Sequence, residues 1–268
     1  MVADSKSERL ALLAQKYEVA SFVDEDPSQF LRWYGNCRDV EVASFIAAML
    51  AFGNRKQFIP KIKCILEAAD KKGGICSWIE NGNFEDDFCS PEGDEKKFYR
   101  FYSYADMKSF FRCFREILKG GRFFGEQLRC VWKNVLNEAQ NSVGKPVIAA
   151  TAIGQALAEM FATANIVPKG KDSANKRVHM FMRWMVRKNS PVDIGIWDWY
   201  RPCDLIIPLD THVLQEAEKL RIIKSGSAGN LKTALQITDY MKKIWPSDPC
   251  KGDFALFGLG VDDEKTND

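Results

Sequence analysis

The sequence predicts an all-α protein, and three observations lead to this fold class. Apolar residues recur at helical spacing along most of the 268 residues, whereas the alternating patterns of strands are nearly absent. Residues that start or stop helices, such as Asp39 and Gly53, stand at the borders of the apolar segments. With 46% hydrophobic residues, the chain can bury enough apolar surface for one large helical domain or two small ones.

The helical segments follow one another with short turns between them, such as the one at Gly120-Gly121. The most apolar segment, residues 40–52, is expected to run through a core, with Asp39 as its cap. Residues 80–95 hold seven acidic residues and no basic one, which predicts a loop or a partly mobile segment. The expected helices are 8–19, 28–34, 40–52, 56–69, 105–118, 125–141, 147–164, 176–188, 211–220, 231–244 and 253–259.

Charge and cysteine usage narrow the possible partners. The net charge is only +2, but residues 168–188 contain seven basic residues and one acidic residue, a local excess of +6. Such a patch is typical of a surface that binds a polyanion, and the alternative is a solvated helix face.

The eight cysteines form no close pairs and there are two histidines, so we expect reduced thiols and no metal site. No apolar run approaches the roughly 18 residues of a membrane span, which predicts a soluble, intracellular protein with no membrane partner.

Lys176 and Asp210 are the residues whose setting indicates chemistry. Asp210 follows the apolar run 206–209, precedes Thr-His and opens a helical pattern, so its side chain is expected to face a pocket. It could also cap that helix, and the two roles are compatible. Lys176 opens the basic helix, with Ser173 or Asp172 as candidate cap. The partial positive charge of a helix N-terminus disfavours an ammonium ion and favours a neutral, nucleophilic amine.

The stretch PLDTHVLQEAEKLRII, from Pro208 onward, resembles the end of the catalytic motif of the helix-hairpin-helix DNA glycosylases. The resemblance implies that Lys176 attacks the sugar and that Asp210 assists. It also implies a two-lobed helical fold, with residues 39–165 as the central lobe and residues 1–38 joined by 166–268 as the second lobe. That second lobe would carry the hairpin and the catalytic motif.

The hairpin is longer than the usual one of this superfamily, because five residues, 171–175, separate Val167-Pro168-Lys169-Gly170 from Lys176. Residues 189–204 also lengthen the separation of Lys176 from Asp210. A motif lengthened in this way is similar to that of the archaeal 8-oxoguanine glycosylases and of an uncharacterised bacterial family close to them. Only Cys250 follows the aspartate motif, so the four-cysteine iron–sulfur loop of some members cannot form, and no cofactor is implied.

The resemblance also assigns residues to DNA and to the extruded base. Hairpin and helix residues would contact the phosphates, with a structural hydrogen bond as the alternative for the histidine: Lys169, Gly170, Lys171, Arg177 and His212. Five residues would contact the base, although ordinary core packing explains most of them equally well: Phe257, Asp253, Met180, Phe52 and Asn54.

The function predicted on this basis is a DNA repair glycosylase with AP lyase activity that excises an oxidised purine, 8-oxoguanine first. The protein would bind damaged DNA and act as a monomer. It would be located in the cytoplasm or nucleoid of a prokaryote or in the nucleus of a eukaryote. One alternative is a helix-hairpin-helix protein that binds DNA or RNA without catalysis. Another is an all-α interaction protein in which Lys176 and Asp210 form a structural ion pair.

Overall fold

The computed structural model describes residues 5–141, 149–170 and 172–267. Helices dominate these residues, which confirms the all-α class. The α-helices are α1 (Ser5–Tyr17), α2 (Cys37–Leu50), α3 (Arg55–Asp70), α4 (Ile75–Glu80), α5 (Phe84–Asp87), α6 (Tyr104–Leu118), α7 (Phe124–Asn141), α8 (Ala149–Met160), α9 (Lys176–Val186), α10 (Thr211–Lys219), α11 (Leu231–Ile244) and α12 (Lys251–Asn267).

Shorter elements complete the described chain. Three 3-10 helices span Ala20–Glu25, Pro27–Arg32 and Pro202–Asp204. The strands β1 (Lys97–Tyr99) and β2 (Tyr102–Ser103) form an antiparallel hairpin, in which Tyr99 is paired with Tyr102. The segment expected as helix 28–34 is one of the 3-10 helices, Pro27–Arg32, in which the Asp26 side chain accepts a hydrogen bond from the Ser28 N–H and only two tight turns follow.

The chain divides into two compact units. Unit 1 comprises Met1–Asp24 and Asp172–Asp268, and unit 2 comprises Glu25–Lys171. The sequence-based division placed the central lobe at 39–165. The compact unit that contains it begins 14 residues earlier, at Glu25 instead of Asp39, and ends at Lys171.

Helix α2 is the centre of unit 2. Its residues from Val42 to Leu50 are all buried, and the ring of Phe45 lies 5.1 Å from that of Phe161 in a stacked arrangement. Phe110 and Phe114 of α6 contact the same ring at 5.9 and 5.8 Å. The prediction that this segment runs through a core is therefore confirmed.

The start of α2 differs from the expectation. Asn36, not Asp39, caps the helix, because the Asn36 side chain accepts a hydrogen bond from the Asp39 backbone N–H at 2.9 Å. The Asp39 carboxylate instead accepts from the backbone N–H of Cys76 at 2.8 Å. Asp39 therefore connects α2 to the start of α4, a long-range contact that no local pattern reveals.

The acidic segment 80–95 is also more ordered than expected. It contains α5, whose Phe84 is fully buried, so the prediction of a loop is wrong for Phe84–Asp87. Basic residues of α6 neutralise its acids: Arg112 binds Glu85 at 2.6 Å, and Lys108 binds Asp94 at 2.7 Å. The apolar side chains between the acids anchor the segment to the core of unit 2.

In unit 1, α1 packs on α12, and α12 packs on α10. Helix α9 is the most buried helix of this unit, since every residue from Val178 to Val186 is buried. None of the described helices is long and apolar enough to span a membrane. The eight cysteines all lie in the described part of the chain and carry free thiols, as expected.

Candidate lysine–aspartate site

Asp210 connects the starts of two helices in unit 1. As the N-cap of α10, it accepts a hydrogen bond from the Val213 backbone N–H through Oδ1 at 2.9 Å. Its other oxygen, Oδ2, lies 2.9 Å from Nζ of Lys176, the first residue of α9. The prediction that Asp210 caps α10 is confirmed, and the carboxylate has a second oxygen left to bind the amine.

The N-terminus of α9 is built differently from the expectation. The cap is Asn175, in the left-handed conformation with φ of 45°, and neither Ser173 nor Asp172 caps the helix. The Ser173 hydroxyl accepts a hydrogen bond from the Asn175 backbone N–H at 3.2 Å, which stabilises the turn before the helix. Asparagine tolerates this backbone conformation better than most residues, so the helix can begin directly at Lys176.

The Lys176–Asp210 pair remains accessible to solvent. The side chains are 38% and 29% exposed, respectively. Burial raises the pKa of Asp210, but the charge of Lys176, the Val213 N–H and the charge of His212 lower it, and the net result is a pKa below the usual value. The site therefore presents an ionised carboxylate beside an accessible amine at neutral pH.

A second carboxyl lies within electrostatic range of this pair. Asp253 of α12 accepts a hydrogen bond from Nη1 of Arg183, and its side chain is only 16% exposed. Burial raises the pKa of Asp253 to about 6, with Arg183 and Lys176 opposing the rise and Asp210 adding to it. Asp253 therefore takes up a proton at a higher pH than an ordinary aspartate does.

The interior of unit 1 also holds a network around Arg187, the residue that ends α9. Its guanidinium bonds Asp193, binds Asp248 through Nε at 3.0 Å, and binds Glu18 through Nη2 at 2.7 Å. Burial disfavours the charge of Arg187, but the three carboxylates outweigh it, and the net result is a raised pKa. Arg183 joins this network through Asp193, with Nε and Oδ1 3.2 Å apart.

This network changes the account of the basic helix. Arg183 and Arg187 are 4% and 2% exposed, so two of the seven basic residues in 168–188 cannot contribute to a polyanion-binding surface. The prediction that this basic segment forms a polyanion-binding surface is therefore wrong for Arg183 and Arg187. Sequence reasoning missed their role because their partners are distant in the chain. The available signal was two arginines four residues apart, Arg183 and Arg187, preceded and separated by the apolar residues 180–182 and 184–186.

The predicted phosphate contacts are spread over both units. In unit 2, Lys169 donates a hydrogen bond from Nζ to the carbonyl of Ala162 at 2.6 Å, and Gly170 follows it. Lys171 lies outside the described residues. In unit 1, Arg177 is half-buried next to Lys176, and His212 is exposed in the first turn of α10.

The predicted base contacts of unit 1 pack within the protein. Met180, one turn after Lys176, is 8% exposed. The half-buried ring of Phe257 contacts Tyr17 and Phe22 edge-on, with centroids 6.0 and 5.0 Å apart. These are the contacts of the helix-packing alternative, and stacking of Phe257 on a base stays a prediction.

The remaining two predicted base contacts belong to unit 2. The ring of Phe52 packs against Tyr99 at 5.0 Å and Tyr102 at 5.7 Å, and its carbonyl accepts the Tyr99 hydroxyl. Asn54 caps α3 by accepting a hydrogen bond from the Lys56 backbone N–H at 2.9 Å. Both residues have structural partners, and their roles at a substrate stay predictions.

Together these features define an all-α protein with an accessible lysine–aspartate pair in one of its two helical units. The chain belongs to the family described as "Protein of unknown function (DUF2400)", whose model matches residues 26–262. No curated protein and no solved structure matches the chain. The matched residues begin just before the second 3-10 helix, Pro27–Arg32, and end within α12, so α1 and the first 3-10 helix lie outside the match.

Proposed function

We propose that the protein is a DNA glycosylase with AP lyase activity that excises an oxidised purine, 8-oxoguanine being the first candidate. One observation carries the proposal: Nζ of Lys176 lies 2.9 Å from the carboxylate of Asp210, where α9 and α10 begin. These are the two residues to which the resemblance with helix-hairpin-helix glycosylases assigns the chemistry. The proposed fold is accordingly the two-lobed form of that superfamily.

The proposed reaction begins with a damaged nucleotide turned out of the duplex, because the glycosidic carbon is inaccessible inside the stack. The Lys176 amine forms a bond to C1′ while the bond from C1′ to the base breaks. The base leaves with the electron pair and takes up a proton. Opening of the sugar ring gives an imine, and removal of a proton from C2′ then expels the 3′ phosphate.

Asp210 has an electrostatic role in this mechanism. Its lowered pKa keeps the carboxylate ionised. The negative charge then stabilises the positive charge that develops on the sugar as the base departs. The amine must lose a proton before it attacks. Asp253, whose pKa burial raises to about 6, is a second carboxyl whose charge is coupled to that of Lys176.

The accessibility of the pair favours chemistry over a purely structural role. Ion pairs exposed to this degree contribute about 0–1 kcal/mol to folding, so a structural pair here would stabilise the protein very little. A non-catalytic DNA- or RNA-binding protein is the remaining alternative. Such a protein uses cations for phosphates but has no need of an amine held beside a carboxylate.

Incubation of the protein with duplexes that each carry one oxidised, alkylated or deaminated base tests the proposal. We expect release of an oxidised purine, and a covalent protein–DNA complex when borohydride is present, because the reductant converts the imine to a stable amine. Absence of base release from every substrate, together with no trapped complex at an abasic site, would leave the binding protein as the function.

A further inference from the structure

Unit 1 has a groove lined by exposed basic residues, in contrast to the buried Arg183 and Arg187 of α9. The groove has a volume of about 1140 Å³ and lies between the end of α10 and one face of α11. Five exposed cations line it: Lys219, Arg221, Lys224, Lys232 and Lys243. Its two acidic residues are Glu218 and Asp239, so the lining has a net charge of five minus two, or +3, and one of the five cations, Lys219, is bound to Glu216 at 2.7 Å.

The loop side of the groove is held in place by internal hydrogen bonds. Oε1 of Glu218 accepts from the Ser227 backbone N–H at 3.1 Å, so this carboxylate is occupied within the loop. The Ser227 hydroxyl donates to the carbonyl of Lys224 at 2.6 Å. Arg221, one residue past the C-cap Leu220 of α10, is in the left-handed conformation with φ of 55°, where glycine is the favoured residue. A cation therefore occupies a position that backbone preference alone would give to glycine.

The helix side of the groove supplies a straight row of polar groups. Lys232, Gln236, Tyr240 and Lys243 are spaced four, four and three residues apart on one face of α11. Lys243 lies 11 positions after Lys232, which separates the two by about 16 Å along the helix at 1.5 Å per residue. One strand of DNA rises ~3.4 Å along the helix axis per phosphate, so the row is as long as about five such steps and carries a lysine at each end.

The groove is connected to the lysine–aspartate site through the backbone. The N–H of Leu231, the first residue of α11, donates to the carbonyl of Asp172 at 3.0 Å. Ser173 and Asn230 form an antiparallel bridge beside this bond. The start of α11 is thus joined to the turn that leads directly into Lys176.

We propose that this groove binds the phosphate backbone of duplex DNA on one side of the nucleotide held at Lys176. The inference rests on the proposed function for its substrate but on different residues. Exposed cations along a groove with a fixed backbone can bind the phosphates of DNA. Such contacts give no sequence specificity, because they do not involve the bases. Its contribution is to hold the duplex in register with the amine.

The experiment measures binding of an undamaged duplex and of a lesion duplex as the salt concentration rises. In the double variant Lys224→Gln/Lys232→Gln, the slope of log affinity against log salt should become shallower by about one to two units, and both duplexes should weaken by the same factor. Lys16→Gln/Lys251→Gln is the matched control, since it removes two exposed lysines of the same unit outside the groove, and its slope should equal that of wild type.

An unchanged slope in the groove variant overturns the inference, and so does an equal loss in the control, because total charge would then explain the effect. If the groove variant loses binding to anionic lipid vesicles while duplex binding stays intact, the groove binds a membrane surface, and the inference is again overturned.

Borohydride trapping separates this inference from the proposed function. A trapped wild-type complex with an unchanged slope refutes the groove alone. A shallower slope without any trapped complex supports the groove and refutes the glycosylase. Absence of duplex binding by wild type refutes both.

Discussion

Lys176 and Asp210 form an ion pair between the starts of α9 and α10: Nζ of the lysine lies 2.9 Å from Oδ2 of the aspartate. Because Oδ1 accepts from the Val213 N–H, the carboxylate cannot rotate away from the amine without uncapping α10. The geometry of the amine is therefore coupled to the stability of a helix terminus. This coupling makes it possible to separate the charge of Asp210 from its capping role by mutation.

Lys176→Gln should abolish base release and the borohydride-trapped complex, because the amide is not a nucleophile. Binding of undamaged duplex should persist, since phosphate contacts involve other cations. Lys188→Gln, at an exposed lysine just beyond the other end of α9, is the matched control and should retain the trapped complex. A trapped complex that survives in Lys176→Gln would place the nucleophile elsewhere.

Asp210→Asn should slow base release by roughly 100- to 1000-fold, because it removes a charge that stabilises the transition state. Asparagine caps helices about as well as aspartate, so the melting temperature should change little. Asp210→Ala removes both the charge and the cap, and it should additionally lose about 1 kcal/mol of stability. Rates for Asp210→Asn equal to wild type would contradict the electrostatic role.

Phe257→Leu tests base stacking without emptying the contact with Tyr17 and Phe22. If the ring stacks on the extruded base, lesion binding should fall by on the order of 1 to 3 kcal/mol while undamaged duplex binds as before. The readouts are equilibrium binding of both duplexes and thermal unfolding. Equal weakening of both duplexes, together with a lower melting temperature, would assign Phe257 to helix packing alone.

Asp253→Asn should change how stability depends on pH. The pKa of Asp253 is about 6 in the folded protein, above the ~3.9 of an unfolded chain, so its contribution is full below pH 4 and is lost as the pH rises through 6. Asparagine does not titrate. Between pH 4 and 7, the variant should therefore gain on the order of 3 kcal/mol relative to wild type. Urea unfolding at each pH measures this, and a constant difference would contradict the raised pKa.

Asp210 acts on stability with the opposite sign. Its pKa is lowered in the folded protein, so its contribution is present above the unfolded value of ~3.9 and is lost as the pH falls through the folded value. Above pH 5 the stability difference between wild type and Asp210→Asn should be flat. A difference that varies between pH 5 and 7 would show that Asp210 is not ionised throughout that range.

Features encoded by adjacent residues were predictable from the sequence. The bounds of α11 agree at both ends, because Asn230 caps it and Trp245-Pro246 ends its pattern. The cap at Asp210 is local in the same way. Its side chain reaches a backbone N–H only three residues further along.

Features that depend on distant partners were not predictable. Arg187 looks like a surface cation in sequence, and it is buried because Glu18 reaches it from 169 residues away. The turn before α9 is bonded to the start of α11 through the Leu231 N–H and the Asp172 carbonyl, and the cap of α9 is a left-handed Asn175. Serine and aspartate are common caps, so the sequence favoured Ser173 or Asp172 for that position. The groove between α10 and α11 likewise brings together cations that are spread over 25 residues of sequence.

The packing of α1 on α12 has a consequence during synthesis. Tyr17 and Lys251 are about 230 residues apart, so a ribosome that adds about 5–20 residues per second needs roughly ten to fifty seconds to deliver the partner of α1. Glu25–Lys171 is complete well before that time, whereas Leu10 and Leu13 still expose apolar surface. A premature stop before Lys251 therefore leaves the apolar side chains of α1 without the helix on which they pack.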